Sequence, residues 1–214
     1  MAISNFHGQT FVAFLDISGF KELMRNDSNA LEALRRLYQA GYDVLQIQNG
    51  VEGFFVSDSG ILFVRNGTEE EKLSKILTAI KSINRQMLEY DYMLTTSIAY
   101  GTFSYQDKLE FEGIEKNPIY GNAYVKAFLD NEKGIPKLQP GQCRILNDNL
   151  PFEINFELPQ FNLLKIKQTD RRHTYFYWNV NNQNQVDEFE RQYNDSYKLK
   201  YSGMLKALKQ NNRQ

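Results

Sequence analysis

Cysteine and histidine are scarce in this sequence, and their scarcity excludes two kinds of stabilising site. Cys143 is the sole cysteine, so the chain cannot form an intrachain disulfide. The two histidines, His7 and His173, leave too few nitrogen and sulfur ligands for a recognisable zinc cluster. We therefore expect Cys143 to be a plain buried thiol.

The sequence also lacks a long apolar run. No uninterrupted stretch approaches the roughly 18 residues that a membrane span requires, and no basic-then-apolar signal precedes the first apolar segment. With 42% hydrophobic and 24% charged residues among 214, the composition is that of an ordinary globular protein. We expect a cytoplasmic protein that contacts no membrane.

The net charge of −1 hides an excess of positive charge towards the C-terminus. From Phe161 onward the chain has ten Lys or Arg residues and five Asp or Glu residues. A basic segment is typical of proteins that contact nucleic acid or anionic lipid, but a solvated helix face explains it more simply. We therefore expect no nucleic-acid partner.

The order of predicted elements indicates an α+β fold in which helices flank a sheet. The predicted elements are a first strand, a helix to about Ile47, a hairpin over 51–64, a helix from Thr68, a strand from Met93 to Phe103, a return strand at 110–114, a helix to about Asn131, short strands at 143–146, 163–167 and 174–180, and a terminal helix after Val186. Residues 1–180 are expected to form one domain and residues 181–214 a helical extension.

Two of these helices have apolar residues at helical spacing, which predicts the face that packs on the sheet. In the first helix these are Leu31, Leu34, Leu37, Tyr38 and Leu45, and in the second they are Leu73, Ile76, Leu77, Ile80, Ile83 and Met87. The second helix also begins with Thr68-Glu-Glu-Glu71, which fits a capping box.

An acidic residue stands in an apolar setting near the N-terminus. Residues 11–20 read Phe-Val-Ala-Phe-Leu-Asp-Ile-Ser-Gly-Phe, so Asp16 closes a core strand just before a Ser-Gly turn. A buried carboxylate is costly unless a cation, a metal or several backbone donors stabilise it. The turn at Ser18 and Gly19 can direct backbone N–H groups towards an anion, a geometry that suits phosphate.

A second acid lies in the turn of the predicted hairpin, within Ser57-Asp58-Ser59-Gly60. If the hairpin pairs beside the first strand, Asp16 and Asp58 come together. Two such carboxylates can hold two divalent ions about 3.5 to 4 Å apart. The alternative is that Asp16 caps a helix and Asp58 is a turn residue, because both positions favour aspartate.

Phe-x-Asp-Ile-x-Gly-Phe, followed by an aspartate in a hairpin turn, resembles the metal-binding motifs of class III nucleotidyl cyclases. The resemblance covers residues 9 to about 180 and implies a ferredoxin-like domain with a mostly antiparallel sheet. It implies that Asp16, the Ile17 carbonyl and Asp58 bind two Mn²⁺ or Mg²⁺ ions. It also implies a homodimer with composite sites, and phosphate binding by backbone groups of Ile17, Ser18, Gly19 and Phe20.

The base-reading positions depart from the purine cyclases. Those enzymes have a lysine, an acid, an asparagine and an arginine where this chain has Phe54, Pro118, Val125 and Leu129. The chain is similar instead to the pyrimidine cyclases of bacterial Pycsar antiphage defence, which share its Phe-Leu-Asp-x-x-Gly-Phe and Ser-Asp-Ser motifs and its Tyr-Gly-x-Ala-Tyr-Val-x-Ala-Phe helix.

This second resemblance implies a lyase that converts UTP, or as second choice CTP, to a 3′,5′-cyclic monophosphate that activates a downstream effector. Phe54 would stack on the base, Asn122 would bond a pyrimidine edge and Lys126 would replace the missing arginine. Core packing, helix capping and a solvated helix face are the respective alternatives for these residues. A purine cyclase and an inactive nucleotide-binding or partner-docking module stay open as alternatives for the whole chain.

Overall fold

The computed structural model describes residues 4–106, 109–111, 114–116, 118–151, 154–164, 172–176 and 178. The strands are β1 (Phe6–Ile17), β2 (Val51–Val56), β3 (Ser59–Val64), β4 (Leu94–Tyr105), β5 (Leu109–Phe111), β6 (Ile114–Lys116), β7 (Ile119–Tyr120), β8 (Cys143–Leu146) and β9 (His173–Phe176). The α-helices are α1 (Phe20–Leu23), α2 (Asp27–Ile47), α3 (Glu69–Leu88) and α4 (Asn122–Lys133), and a 3-10 helix spans Pro159–Leu164.

The main sheet has the strand order β2-β3-β1-β4-β8-β9, and β7 pairs with β4. All neighbours are antiparallel except β4 and β8. Since β3 is antiparallel to both of its neighbours, β1 and β2 run in the same direction and are joined by the helical crossover through α2. The order β2-β3-β1-β4 is that of a ferredoxin-like domain. The predicted α+β fold with a mostly antiparallel central sheet flanked by helices is confirmed.

Strand β1 is central and is covered on both faces. Phe11, Ala13 and Leu15 belong to the core under α2 and α3, whereas Val12 and Phe14 belong to the core under α4. Burial on both faces explains why this strand reads as a continuous apolar run. Because side chains alternate along a strand, Asp16 falls on the α4 side of the sheet.

Helix α3 matches its prediction. Thr68 and Glu71 form the capping box, and every residue of the predicted apolar face is buried. Helix α2 ends where expected, but its predicted face is partly wrong, because Leu31 and Tyr38 are 50% and 41% exposed. The residues that α2 buries are mostly small: Ala30, Ala33, Leu37, Ala40, Gly41 and Val44.

The strands that follow β4 differ from the prediction. The predicted return strand at 110–114 is wrong, since β5 and β6 pair with each other in a separate two-stranded sheet. Strand β7 makes the return pairing instead, through Ser104 with Tyr120 and Tyr105 with Ile119.

The last described segments give mixed outcomes. Strand β8 confirms its prediction, and β9 confirms residues 174–176 of the strand predicted at 174–180. Residue 178 is not in a strand, and residues 177, 179 and 180 lie outside the described residues. Residues 163–164 belong to the 3-10 helix rather than to a strand, and the rest of 163–167 lies outside the described residues. The terminal helix and the boundary at residue 180 also lie outside them. Cys143 is a buried free thiol, as expected. None of the described helices combines the length and the apolar character needed to cross a bilayer.

Candidate active site

Asp16 lies near the end of β1, between two neighbouring strands. Its backbone is in register with Ser59 of β3 and with Thr95 of β4. The Ser59 hydroxyl donates a hydrogen bond of 2.9 Å to Asp16 Oδ1. The residue is half-buried, and the other carboxylate oxygen has no hydrogen-bond donor among the described residues.

Asp58 occupies the two-residue turn, Ser57-Asp58, that joins β2 to β3. The Ile17 amide donates a 3.0 Å hydrogen bond to the Asp58 carbonyl, which extends the contact between β1 and β3 beyond their ladder. Pairing of the hairpin with β1 therefore brings Asp58 beside Asp16. The structure thus unites the two acids that the sequence places far apart.

The pKa of Asp16 reports how poorly its charge is stabilised. Burial is the main reason that this pKa is raised from 3.8 to about 7, and the negative charge of Asp58 raises it further. The hydrogen bond from Ser59 opposes the increase, and Glu132 of α4 adds to it. A carboxyl group with such a pKa is ready to exchange its proton for a cation near neutral pH.

No cationic side chain in the described part of the chain forms an ion pair with Asp16 or Asp58. Among the same residues, no group of three or more His, Cys, Asp or Glu side chains is placed to hold a metal. Mg²⁺ usually binds proteins through one or two carboxylates and completes its shell with water and substrate phosphates. The donor set therefore fits divalent ions shared between the protein and a triphosphate.

The turn after β1 has fewer available amides than the sequence predicts. The Ile17 amide is bonded to Asp58 and the Ser18 amide donates to the Met93 carbonyl at 2.8 Å. The amides of Gly19 and Phe20 have no acceptor among the described residues. Gly19 has a φ of 77°, which only glycine adopts readily. Of the four residues predicted to bind phosphate, Gly19 and Phe20 therefore have backbone amides available to do so.

Ser18 adds a donor that the sequence does not reveal. Its hydroxyl oxygen is buried and has no hydrogen-bond partner in the described part of the structure. A buried polar atom of this kind costs free energy unless a ligand or water satisfies it. Its position, two residues after Asp16, fits an anion next to the carboxylates.

Phe54 lies on the α4 side of the sheet, in one row with Ile61 and Phe14. It is half-buried, and its ring centroid is 5.6 Å from that of Tyr105. The ring thus packs against Tyr105, and the residue as a whole is partly exposed. Both core packing and base stacking are compatible with this position.

Asn122 and Lys126 stand on α4. Asn122 is the first residue of the helix and does not cap it, so the capping alternative is wrong. The Asn122 side chain packs against Gly101 of β4. Gly101 is in register with Thr10 of β1, and Thr10 is roughly 20 Å from Asp16 along that strand. Lys126 is half-exposed one turn further along. Asn122 therefore cannot meet Asp16 within one subunit.

A buried polar cluster ties the end of α4 to the sheet, and no spacing in the sequence announces it. The Asp130 carboxylate accepts hydrogen bonds from Arg144 at 2.7 and 2.8 Å and from Ser97, and lies 3.0 Å from His173 Nε2. Burial alone would raise the pKa of Asp130, but the hydrogen bonds from His173, Arg144 and Ser97 lower it to about 2. The cluster fixes the end of α4 against β4, β8 and β9.

Asn131 extends this anchoring to the neighbourhood of Asp16. Its side chain contacts Thr95 Oγ1 at 3.0 Å and the Phe14 carbonyl at 3.5 Å. Thr95 is the register partner of Asp16, and Phe14 precedes Asp16 by two residues on the same face. Asn131 and Glu132 are therefore neighbours of the site that sequence reasoning missed.

Solved structures share this arrangement of strands and helices. The adenylyl cyclase CyaB from P. aeruginosa aligns over 68% of this chain and 80% of its own, with a TM-score of 0.52 and 15% identity. The catalytic core of a rhodopsin-guanylyl cyclase with converted specificity, in complex with ATPαS, aligns over 82% of this chain and 98% of its own, with a TM-score of 0.54 and 12% identity. The chain has the class III cyclase fold.

A class III adenylyl cyclase-like ATP-binding protein from Pseudomonas aeruginosa has the same fold over 83% of this chain and 40% of its own, with a TM-score of 0.56 and 12% identity. No protein-family model and no curated protein matches the sequence. Structural matches at identities this low show a common fold only. The chemistry must be inferred from the residues of the site. On this class III cyclase fold, Asp16 and Asp58 are the residues whose chemistry suggests a function.

Proposed function

We propose that this chain is a nucleotidyl cyclase that converts a pyrimidine nucleoside triphosphate, UTP first and CTP second, to its 3′,5′-cyclic monophosphate and pyrophosphate. The observation that carries the proposal is the contact between β1 and the β2–β3 turn, which sets Asp16 beside Asp58 without a cationic partner among the described side chains. The product would act as a second messenger on a downstream effector in antiphage defence.

Two Mn²⁺ or Mg²⁺ ions, when bound by Asp16, Asp58 and the Ile17 carbonyl, would supply Lewis-acid chemistry. Ser59 orients one oxygen of Asp16 and leaves the other oxygen for ligation. The amides of Gly19 and Phe20 and the Ser18 hydroxyl would donate to phosphate oxygens. The ribose 3′-hydroxyl would lose its proton to solvent water as O3′ bonds to the α-phosphorus, the bond from that phosphorus to the bridging oxygen would break, and pyrophosphate would leave.

The pyrimidine assignment depends on the residues that differ from purine cyclases. Val125 and Leu129 of α4 are 47% and 46% exposed, so aliphatic side chains cover the surface where those enzymes use polar ones. Phe54 is partly exposed and offers an aromatic ring for a smaller base. We propose a homodimer, because Asn122 and Lys126 would then approach the aspartates from the partner subunit.

An inactive nucleotide-binding module is the second candidate. Val125 and Leu129 cannot donate hydrogen bonds to a transition state, which favours this reading. Such a module would bind nucleotide and leave it intact. A purine cyclase is the third candidate and differs only in substrate.

The test offers ATP, GTP, CTP and UTP separately with Mn²⁺ to the full chain and identifies cyclic products by mass spectrometry. We expect cyclic UMP from UTP, a smaller yield of cyclic CMP from CTP, and loss of both in Asp16→Asn and Asp58→Asn. Asp148→Asn, which changes an exposed turn acid after β8, is the matched control and should keep full activity. Cyclic AMP or cyclic GMP as the main product would favour a purine cyclase, and binding without turnover would favour the inactive module.

A further inference from the structure

The turn that carries Asp58 is held on two sides. On one side the Ile17 amide donates to the Asp58 carbonyl, and on the other the Tyr38 hydroxyl of α2 donates a 2.9 Å hydrogen bond to the Ser57 carbonyl. These bonds reach consecutive residues of a two-residue turn. Together they restrain the backbone from which the Asp58 side chain projects.

Ser57 needs this restraint. It has a φ of 54°, a left-handed conformation that is unfavourable for residues other than glycine, asparagine and aspartate. A turn with such a residue has other backbone conformations available to it, and each would point the Asp58 carboxylate in a different direction. The hydrogen bond from Tyr38 is formed in the observed conformation and stabilises it.

Tyr38 is suited to this task because its ring is fixed by packing. The ring centroid is 6.1 Å from that of Phe55, and Phe55 in turn lies over Gly41, where an added Cβ would come within 2.1 Å of Phe55 Cζ. Tyr38 is nevertheless 41% exposed, so burial of apolar surface does not explain the residue. The Ser57 carbonyl is at the surface too, so water can hydrogen-bond it when the hydroxyl is absent and keep the fold stable, but water does not tie the turn to α2.

We propose that Tyr38 is a positioning residue for Asp58: its hydroxyl holds the Ser57-Asp58 turn so that both carboxylates face one ion cluster. This inference rests on the proposed function, since it assigns Tyr38 a role in divalent-cation binding. It predicts that loss of the hydroxyl weakens cation binding while the fold keeps its stability.

The test compares Tyr38→Phe with the wild type by titrating Mn²⁺ alone and following the free ion by electron paramagnetic resonance at pH 8. We expect the dissociation constant for Mn²⁺ to rise about tenfold, the lower end of the range for loss of a group that orients a metal ligand. The melting temperature without metal should stay within about 2 °C of the wild type. Tyr42→Phe, one turn further along the exposed face of α2, is the matched control and should bind Mn²⁺ like the wild type.

Asp58→Asn separates a failure of the role proposed for Tyr38 from a failure of the proposed function. If the wild type binds Mn²⁺ more tightly than Asp58→Asn but Tyr38→Phe equals the wild type, the role of Tyr38 is refuted and the proposed function stands. If the wild type and Asp58→Asn bind Mn²⁺ equally, both proposals fall. A melting temperature lowered in Tyr38→Phe with unchanged Mn²⁺ affinity would make Tyr38 a stability residue and would also overturn the inference.

Discussion

Asp16→Asn should stabilise the metal-free protein at alkaline pH. An acid whose folded pKa lies above its unfolded value costs the fold stability as it ionises, because the unfolded chain loses that proton more readily. The pKa of Asp16 is raised from 3.8 to about 7, chiefly by burial. Asparagine keeps the size of the side chain and a hydrogen-bonding partner for Ser59, and it has no charge to desolvate.

The magnitude follows from this shift. A rise of about 3 pKa units corresponds to roughly 4 kcal/mol at 1.36 kcal/mol per unit, and partial solvent exposure reduces this to about 2 to 4 kcal/mol. The advantage of the variant is complete above pH 7, about half as large at pH 5.5, and absent below pH 4. For a domain of this size, 3 kcal/mol raises the melting temperature by roughly 6 to 12 °C.

Thermal and urea denaturation in EDTA at pH 8 and pH 5.5 measure this difference, with Asp148→Asn as a control for removing an exposed acid. Addition of Mn²⁺ at pH 8 should then stabilise the wild type and leave Asp16→Asn unchanged, since bound cations compensate the carboxylates. A variant that is no more stable than the wild type at pH 8, or whose advantage is larger at pH 5.5, would refute the electrostatic account of this site.

One further prediction concerns the same site, and two concern other parts of the structure. The apparent affinity for Mn²⁺ should fall as the pH drops from 8 to 6, up to tenfold per unit below pH 7, because protons compete for Asp16; a pH-independent titration would contradict this. Asp130→Ala should cost about 3 to 5 kcal/mol in urea denaturation at pH 7 by leaving Arg144 buried and unpaired, and a loss below 1 kcal/mol would refute the buried pair. Gly41→Ala should cost about 1 to 3 kcal/mol because the new Cβ would contact Phe55, and an unchanged urea midpoint would show that the ring moves aside freely.

The sequence predicts those elements whose pattern is local. Thr68 and Glu71 define the start of α3, and the apolar spacing from Leu73 to Met87 identifies its buried face, because capping and amphipathicity depend on neighbours along the helix. The hairpin turn at Asp58 and the strand carrying Asp16 follow from equally local signals. Asp16 and Asp58 then come together once β3 of the hairpin pairs with the central strand β1.

The sequence does not predict features that depend on close approach or distant partners. Helix α2 buries alanines and Gly41 rather than Leu31 and Tyr38, because small residues let the helix approach the aromatic ring of Phe55. Size, rather than hydrophobicity, decides which face packs here. A helical hydrophobicity pattern therefore indicates the wrong side for part of α2.

The site shows the same limit. The amides of Ile17 and Ser18 look free in a turn motif, yet they bond carbonyls of Asp58 and Met93 that are distant in sequence. The Asp130–Arg144–His173 cluster joins three separate segments, so no motif spacing encodes it. Residue type alone could not predict these hydrogen bonds, because the partner groups are distant in sequence and only the fold brings them together.

An anomalous-scattering map from crystals grown with Mn²⁺ and a UTP analogue that cannot cyclise would show directly whether Asp16 and Asp58 bind divalent ions. We expect two manganese peaks about 3.5 to 4 Å apart, each within about 2.5 Å of carboxylate oxygens of Asp16 and Asp58 and of the triphosphate. Manganese bound elsewhere, or a nucleotide whose phosphates lie away from these two residues, would contradict this expectation.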